Sequence, residues 1–221
     1  MTQITRREVL SLAAAGVALA AGPARAAEPW TEGKHYFKVE QPPAGTVAAV
    51  TEIFSYGCPA CNAFAPYMQS IEKKLPPNST DYLPASWIPQ ENWPLFQRAY
   101  LTAKALGVAR KAHDAMFNAV WTTGELGITD PNTRRVRSPL PGIQEVAAFY
   151  QRVAGIPTAK FIETSKSFSI DTEARRTDAL IKQYRAESTP TLIVNGKYRF
   201  EPRLAGSPEK AVELALWLKT R

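Results

Sequence analysis

Both cysteines of this 221-residue chain stand in one motif, Cys58-Pro59-Ala60-Cys61, at a point where the residue pattern changes from strand to helix. Upstream, Val47 to Ser55 is a near-continuous β-prone run, suited to a strand buried on both faces. Gly57 breaks it. Downstream, Phe64, Met68, Ile71 and Leu75 recur at helical spacing, and Pro76-Pro77-Asn78-Ser79 ends the periodicity, so a helix is predicted over Pro59–Lys74. Two cysteines placed at random would fall three apart only about one time in a hundred, so the pairing asks for a cause.

Three causes compete. In a redox dithiol, Cys58 at a helix N-terminus is favoured as an anion by free backbone N–H groups and the helix dipole. Only the thiolate is nucleophilic. Pro59 suits the first helical turn, and Cys61, one turn inside, can resolve a mixed disulfide formed at Cys58. A structural disulfide is the second cause, though so small a loop gives little entropic stabilisation. Half a zinc site is the third, but His35 and His113 are the only histidines, and neither lies at ligand-like spacing. The strand–CxxC–helix context favours the redox dithiol. The two histidines read as structural, and no metal is expected.

The rest of the chain supports an exported α/β protein. Residues 1–26 carry Arg6 and Arg7, an apolar stretch from Val9 to Gly22, and Ala24-Arg25-Ala26. That is the order of a cleaved secretory signal, and the stretch is too short for a comfortable membrane span. Thr5-Arg6-Arg7-Glu8-Val9-Leu10 resembles a twin-arginine signal. The compartment implied is a periplasm or the extracellular side, where disulfides persist. The net charge of +7 is dispersed, with its densest cluster, Arg134, Arg135 and Arg137, in a proline-containing loop. It reads as solubility rather than nucleic-acid binding. Tyr82–Ile88 is a candidate second strand despite Pro84. Helices are expected over 95–106, 108–121, 143–153, 158–168 and 171–185, the last with Ala174, Leu180, Ile181 and Tyr184 inward. Thr191–Val194 and Lys197–Phe200 flank an Asn195-Gly196 hairpin turn, and Ser207-Pro208 opens a final helix burying Val212, Leu216 and Leu214. A small α/β domain, 27–89 with 170–221, thus receives an inserted helical domain, 90–169.

The segments Phe54-Ser55-Tyr56-Gly57-Cys58-Pro59-Ala60-Cys61 and Ser188-Thr189-Pro190-Thr191-Leu192-Ile193-Val194-Asn195-Gly196-Lys197-Tyr198 resemble the DsbA family of thiol:disulfide interchange proteins. So do Gly33-Lys34-His35-Tyr36, Glu72-Lys73-Lys74-Leu75-Pro76 and Ala105-Leu106-Gly107-Val108. The resemblance implies a thioredoxin fold with a helical insertion. It implies a monomeric enzyme that introduces disulfides into unfolded exported proteins, with no cofactor beyond the Cys58–Cys61 disulfide and no membrane insertion. A quinone-linked membrane protein of the DsbB type would reoxidise it. Pro190 matches the family's cis-proline facing the disulfide, and Glu52 an acid buried beneath the motif. An unpaired carboxylate in an apolar strand is costly, and a raised pKa would let Glu52 exchange protons with Cys61; a solvated, edge-facing Glu52 is the alternative. Thr189, Pro59, Ala60 and Tyr56 are the expected substrate contacts, with Phe64 and Tyr67 as further candidates for a peptide groove.

Three departures stand out. Ala60 replaces a histidine of the best-known members, which removes a donor near the thiolate and predicts a less acidic Cys58. Thr189 replaces a branched aliphatic residue and resembles the disulfide-isomerase pattern. No lysine matches the one the family places near the buried acid, where Tyr82-Leu83-Pro84 stands instead. An isomerase or reductase is therefore the alternative enzyme, and a non-catalytic binding module the alternative outside catalysis.

Overall fold

A computed structural model describes residues 29–44, 48–130 and 132–221. The expected leader, 1–26, lies outside the described residues. Strands β1 (Phe37–Lys38), β2 (Val50–Phe54), β3 (Thr80–Pro84), β4 (Thr191–Val194) and β5 (Tyr198–Phe200) form one sheet in the order β1-β5-β4-β2-β3. β2 and β3 are parallel, and the other pairs are antiparallel. All five residues of β2 are buried, Thr51 and Glu52 among them, as a central strand covered on both faces requires. Helix α1 (Pro59–Lys74) follows β2 and packs against α7 (Pro208–Lys219). Between β3 and β4 the described residues form, after a short 3-10 turn at Pro89–Glu91, five α-helices: α2 (Trp93–Ala105), α3 (Ala109–Trp121), α4 (Ile143–Ala154), α5 (Thr158–Ser165) and α6 (Phe168–Gln183). They pack around α2, and α3 also reaches α1. This is a thioredoxin fold with a helical insertion. Among the described residues no helix is long and apolar enough to cross a membrane.

Several boundaries differ from expectation, each for a local reason. The second strand is Thr80–Pro84 rather than Tyr82–Ile88. Pro84 ends it at the edge of the sheet, where a missing N–H costs least. The helix expected over Thr158–Phe168 stops at Ser165, because Ser167 caps the next one by accepting the Ile170 N–H through Oγ. That next helix buries Ile170, Thr177 and Ile181, with Tyr184 just beyond it, while Ala174 and Leu180 are half-buried. In α7 the buried leucines are Leu214 and Leu218; Leu216 is half-buried. The Asn195-Gly196 turn has both residues at positive φ, 52° and 67°, as a tight hairpin requires. The two-residue β1 carries too little pattern to be read from sequence.

Candidate active site

The site begins at the junction of β2 and α1. Cys58 is the N-cap of α1, with extended backbone (φ −90°, ψ 117°), and Pro59 holds the first helical position. In place of the usual capping oxygen, the Cys58 sulfur accepts the N–H of Cys61 at 3.4 Å. Both cysteines are free. Cys58 is 5% exposed and Cys61 fully enclosed, whereas Pro59 and Ala60 between them are exposed. The two sulfurs are driven apart in acidity. Hydrogen bonding with the Cys61 side chain, helped by the Thr189 side chain and by the backbone N–H groups of Cys61 and Ala60, outweighs burial and pulls Cys58 down to about 6. Burial, followed by the neighbouring Cys58 and Glu52, pushes Cys61 well above the ordinary thiol range.

The Thr189–Pro190 peptide, directly before β4, is cis. It places the Thr189 carbonyl 3.5 Å from the Cys58 sulfur, which donates to it as a thiol. Ala60, Thr189 and Pro190 line an apolar cavity of about 500 Å³, together with Phe64 from α1 and Pro202 and Pro208 from the far wall. Thus Cys58, Ala60, Thr189 and Pro190, far apart along the chain, come together beside one cavity, while Cys61 is enclosed. Two expected groove residues are placed elsewhere. Tyr56 is 1% exposed, and its hydroxyl shares a 2.9 Å hydrogen bond with Nδ1 of His113. It is a core residue and cannot touch a substrate, a correction that follows from its aromatic packing against Phe54, Phe96 and Phe117. Tyr67 donates to Glu209 on α7 at 3.0 Å and is not among the cavity residues.

Glu52 is the third residue of β2 and is 1% exposed, so the solvated alternative is excluded. Its Oε1 has no hydrogen-bond partner. Burial, then Cys58 and then Glu72, raise its pKa well above the carboxylate range. Its partner across the sheet in β3 is Tyr82, in the segment where the expected lysine is missing. Tyr82 Oη donates to Glu72 at 3.1 Å, and Glu72 also accepts from Thr80 Oγ1 (2.9 Å) and Arg110 Nη1 (3.0 Å). His113 is buried and neutral, its pKa lowered to about 3 by burial and then by Arg110. Among the described residues no cluster of three or more His, Cys, Asp or Glu could hold a metal.

Sequence reasoning missed the far wall of the cavity, between Glu201 and Pro208, and the insertion residues against the turn before Cys58, Trp93 and Trp121. The prolines of the wall were visible, but nothing in one dimension sets them opposite Ala60.

No family model matches the chain. It is 32% identical over 215 residues to the thiol:disulfide interchange protein DsbA of Pseudomonas syringae pathovar tomato, covering 95% of this chain and 92% of that one. It is 31% identical to DsbA of Pseudomonas aeruginosa over 217 residues, 96% and 95% of the two chains. The crystal structure of Pseudomonas aeruginosa DsbA superposes with a TM-score of 0.71 at 31% identity, over 86% of this chain and 93% of that one. That of the oxidoreductase DsbA from Xylella fastidiosa gives 0.70 at 27% identity, over 85% and 94%.

Proposed function

The chain belongs to the DsbA family of thiol:disulfide interchange proteins and is a disulfide oxidoreductase, and from that premise we propose that it introduces disulfide bonds into exported proteins through Cys58 and Cys61. The observation that carries this reading is the opposed acidity of the two sulfurs: a Cys58 that caps α1 beside exposed Pro59 and Ala60 and leaves readily, and an enclosed Cys61 that stays protonated.

The reaction starts from the Cys58–Cys61 disulfide. A substrate thiolate attacks the Cys58 sulfur, a mixed disulfide forms, and the electron pair of the broken bond passes to the Cys61 sulfur. That sulfur takes a proton, with Glu52 as its donor beneath the motif. A second substrate thiolate then attacks the substrate's own sulfur in the mixed disulfide. The substrate disulfide forms, and Cys58 departs as a thiolate steadied by the start of α1. The substrate has lost two electrons, which the enzyme holds as the Cys58 thiolate and the Cys61 thiol; the protons released when the substrate thiols ionise pass to solvent, one of them restoring that of Glu52. A quinone-linked membrane protein of the DsbB type removes the two electrons. The apolar cavity beside Cys58, lined by Ala60, and the carbonyl of Thr189 hold the incoming peptide, and the exposed Pro59 contacts it from outside the cavity.

The chain works as a periplasmic monomer after loss of residues 1–26, with no cofactor beyond the sulfur pair. It divides into a thioredoxin-like part, 27–89 with 170–221, and an inserted part, 90–169, the second junction falling inside α6. The test is the equilibrium with glutathione together with oxidation of a reduced, unfolded protein. A disulfide more easily reduced than that of glutathione, and substrate disulfides formed in stoichiometric amount, are the expected results. One alternative has an observation in its favour: Thr189 beside the Cys58 sulfur suits an isomerase. A strongly reducing potential, with reshuffling but no net oxidation, would decide for it and against an oxidase. Cys58→Ser separates both enzymes from a binding module, since only the enzymes lose their activity with that sulfur.

A further inference from the structure

The turn that delivers Cys58 to the helix is held from the insertion. Within the turn, Cys58 N–H donates to the Ser55 carbonyl at 3.1 Å, and Gly57 N–H to Ser55 Oγ at 3.1 Å. The carbonyl of Tyr56 is left over, and a buried carbonyl needs a donor. It receives one from α3: Trp121 Nε1–H at 2.8 Å. The same helix supplies His113, about two turns earlier, to the hydroxyl of the same tyrosine at 2.9 Å. From α2, the indole of Trp93 packs against Gly57. A Cβ at Gly57 would stand 2.7 Å from Trp93 Nε1 and 3.0 Å from the Glu91 carbonyl. The Tyr56–Gly57 peptide is thereby gripped between two helices that contribute no atom to the sulfur pair.

We propose that Trp121 and His113 are positioning residues for Cys58: by fixing Tyr56 at its carbonyl and its hydroxyl, α3 sets the angle at which the turn presents the Cys58 sulfur to the N–H of Cys61. A hydrogen bond to sulfur at 3.4 Å is lost quickly as the donor swings off line. A small rotation of the turn therefore changes the stabilisation of the thiolate before it changes the fold. The insertion then serves the chemistry as well as covering the sheet, and substitution at positions 113 and 121 tunes acidity without touching substrate. This rests on Cys58 being the reactive sulfur.

The experiment titrates the thiolate absorbance of reduced protein from pH 4 to pH 10, and measures the glutathione equilibrium, for the parent, Trp121→Phe and Tyr56→Phe. Trp121→Phe removes the indole N–H and keeps an aromatic ring; Tyr56→Phe removes only the hydroxyl. Ile170→Val, in the buried face of α6 and away from the turn, controls for loss of stability. A fully lost charge-assisted hydrogen bond corresponds to about one to two pKa units, so a misaimed one should move the midpoint upward by about half a unit in Trp121→Phe. The glutathione equilibrium should shift about threefold toward a less oxidising pair. Tyr56→Phe should move both in the same direction, and Ile170→Val neither. An unchanged midpoint in folded Trp121→Phe, or an equal shift in Ile170→Val, overturns the proposal. If Trp121→Phe does not fold, Tyr56→Phe decides alone, and an unchanged midpoint there is equally fatal. A parent without any thiolate signal below pH 8 would instead sink the assignment of Cys58.

Discussion

A sulfur atom at a helix cap, with its partner one turn inside, sets what this chain can do. Titration of reduced protein at 240 nm should give a Cys58 midpoint of about 6, absent in Cys58→Ser. Ala60 is exposed beside that sulfur, and its side chain offers no donor. Ala60→His should lower the midpoint by about one unit, since an imidazolium within reach of a thiolate favours the anion. A midpoint that stays or rises would show that position 60 does not face the sulfur. Glu52 acts in the opposite sense. Its folded pKa lies above the unfolded one, so the stability it contributes is present below about pH 4.5 and is lost as pH rises through the folded value. Glu52→Leu should therefore stabilise the protein at pH 7 by about 1–3 kcal/mol, the cost of a buried polar atom without a partner. Denaturant unfolding measures this, and slower resolution of the mixed disulfide should accompany it.

The elements are organised around junctions rather than lengths. β2 enters α1 through a glycine because the indole of Trp93 occupies the space a side chain would need. Gly57→Ala should cost about 1–3 kcal/mol, and pairing it with Trp93→Leu should recover part of that loss in a double-mutant cycle. Strict additivity would mean that the close approach is not the cause. Ser207, whose Oγ accepts the Lys210 N–H at 3.2 Å, starts α7 against α1. Ser207→Ala should lower stability by about 1 kcal/mol on thermal unfolding, without changing the Cys58 midpoint. These caps were legible from Ser-Pro and Cys-Pro pairs alone. The boundary between α5 and α6 was not, because Ser167 competes with a continuous helical pattern on both sides and wins only by bonding Ile170.

For the whole molecule, the two redox states should differ in their response to pH. Cys58 has a depressed folded pKa, so the stabilisation of its thiolate is complete above the unfolded value near 9 and is lost as pH falls through about 6. The oxidised protein has no such thiolate. The reduced form should gain about 1–2 kcal/mol relative to the oxidised form between pH 6 and pH 8, read from paired denaturant curves. A gap that does not change with pH would mean that the thiolate is no better placed in the folded chain than in the unfolded one.

By itself the sequence determined the CxxC motif, the helix that starts on it, the hairpin and final helix, and the insertion of a helical block into a sheet. These rest on residues close together along the chain: a periodicity, a turn dipeptide, a proline at a first helical position. Only the tertiary structure decided that Glu52 is enclosed without a hydrogen bond to Oε1, that Tyr56 turns inward rather than toward a substrate, and that residues 201–208 face Ala60 across a cavity. It alone brought Trp121 to the carbonyl two residues before Cys58. Local patterns fix which backbone groups bond to near neighbours. Which buried polar group meets which distant donor depends on how the helices pack, and that is written in no short stretch of the chain.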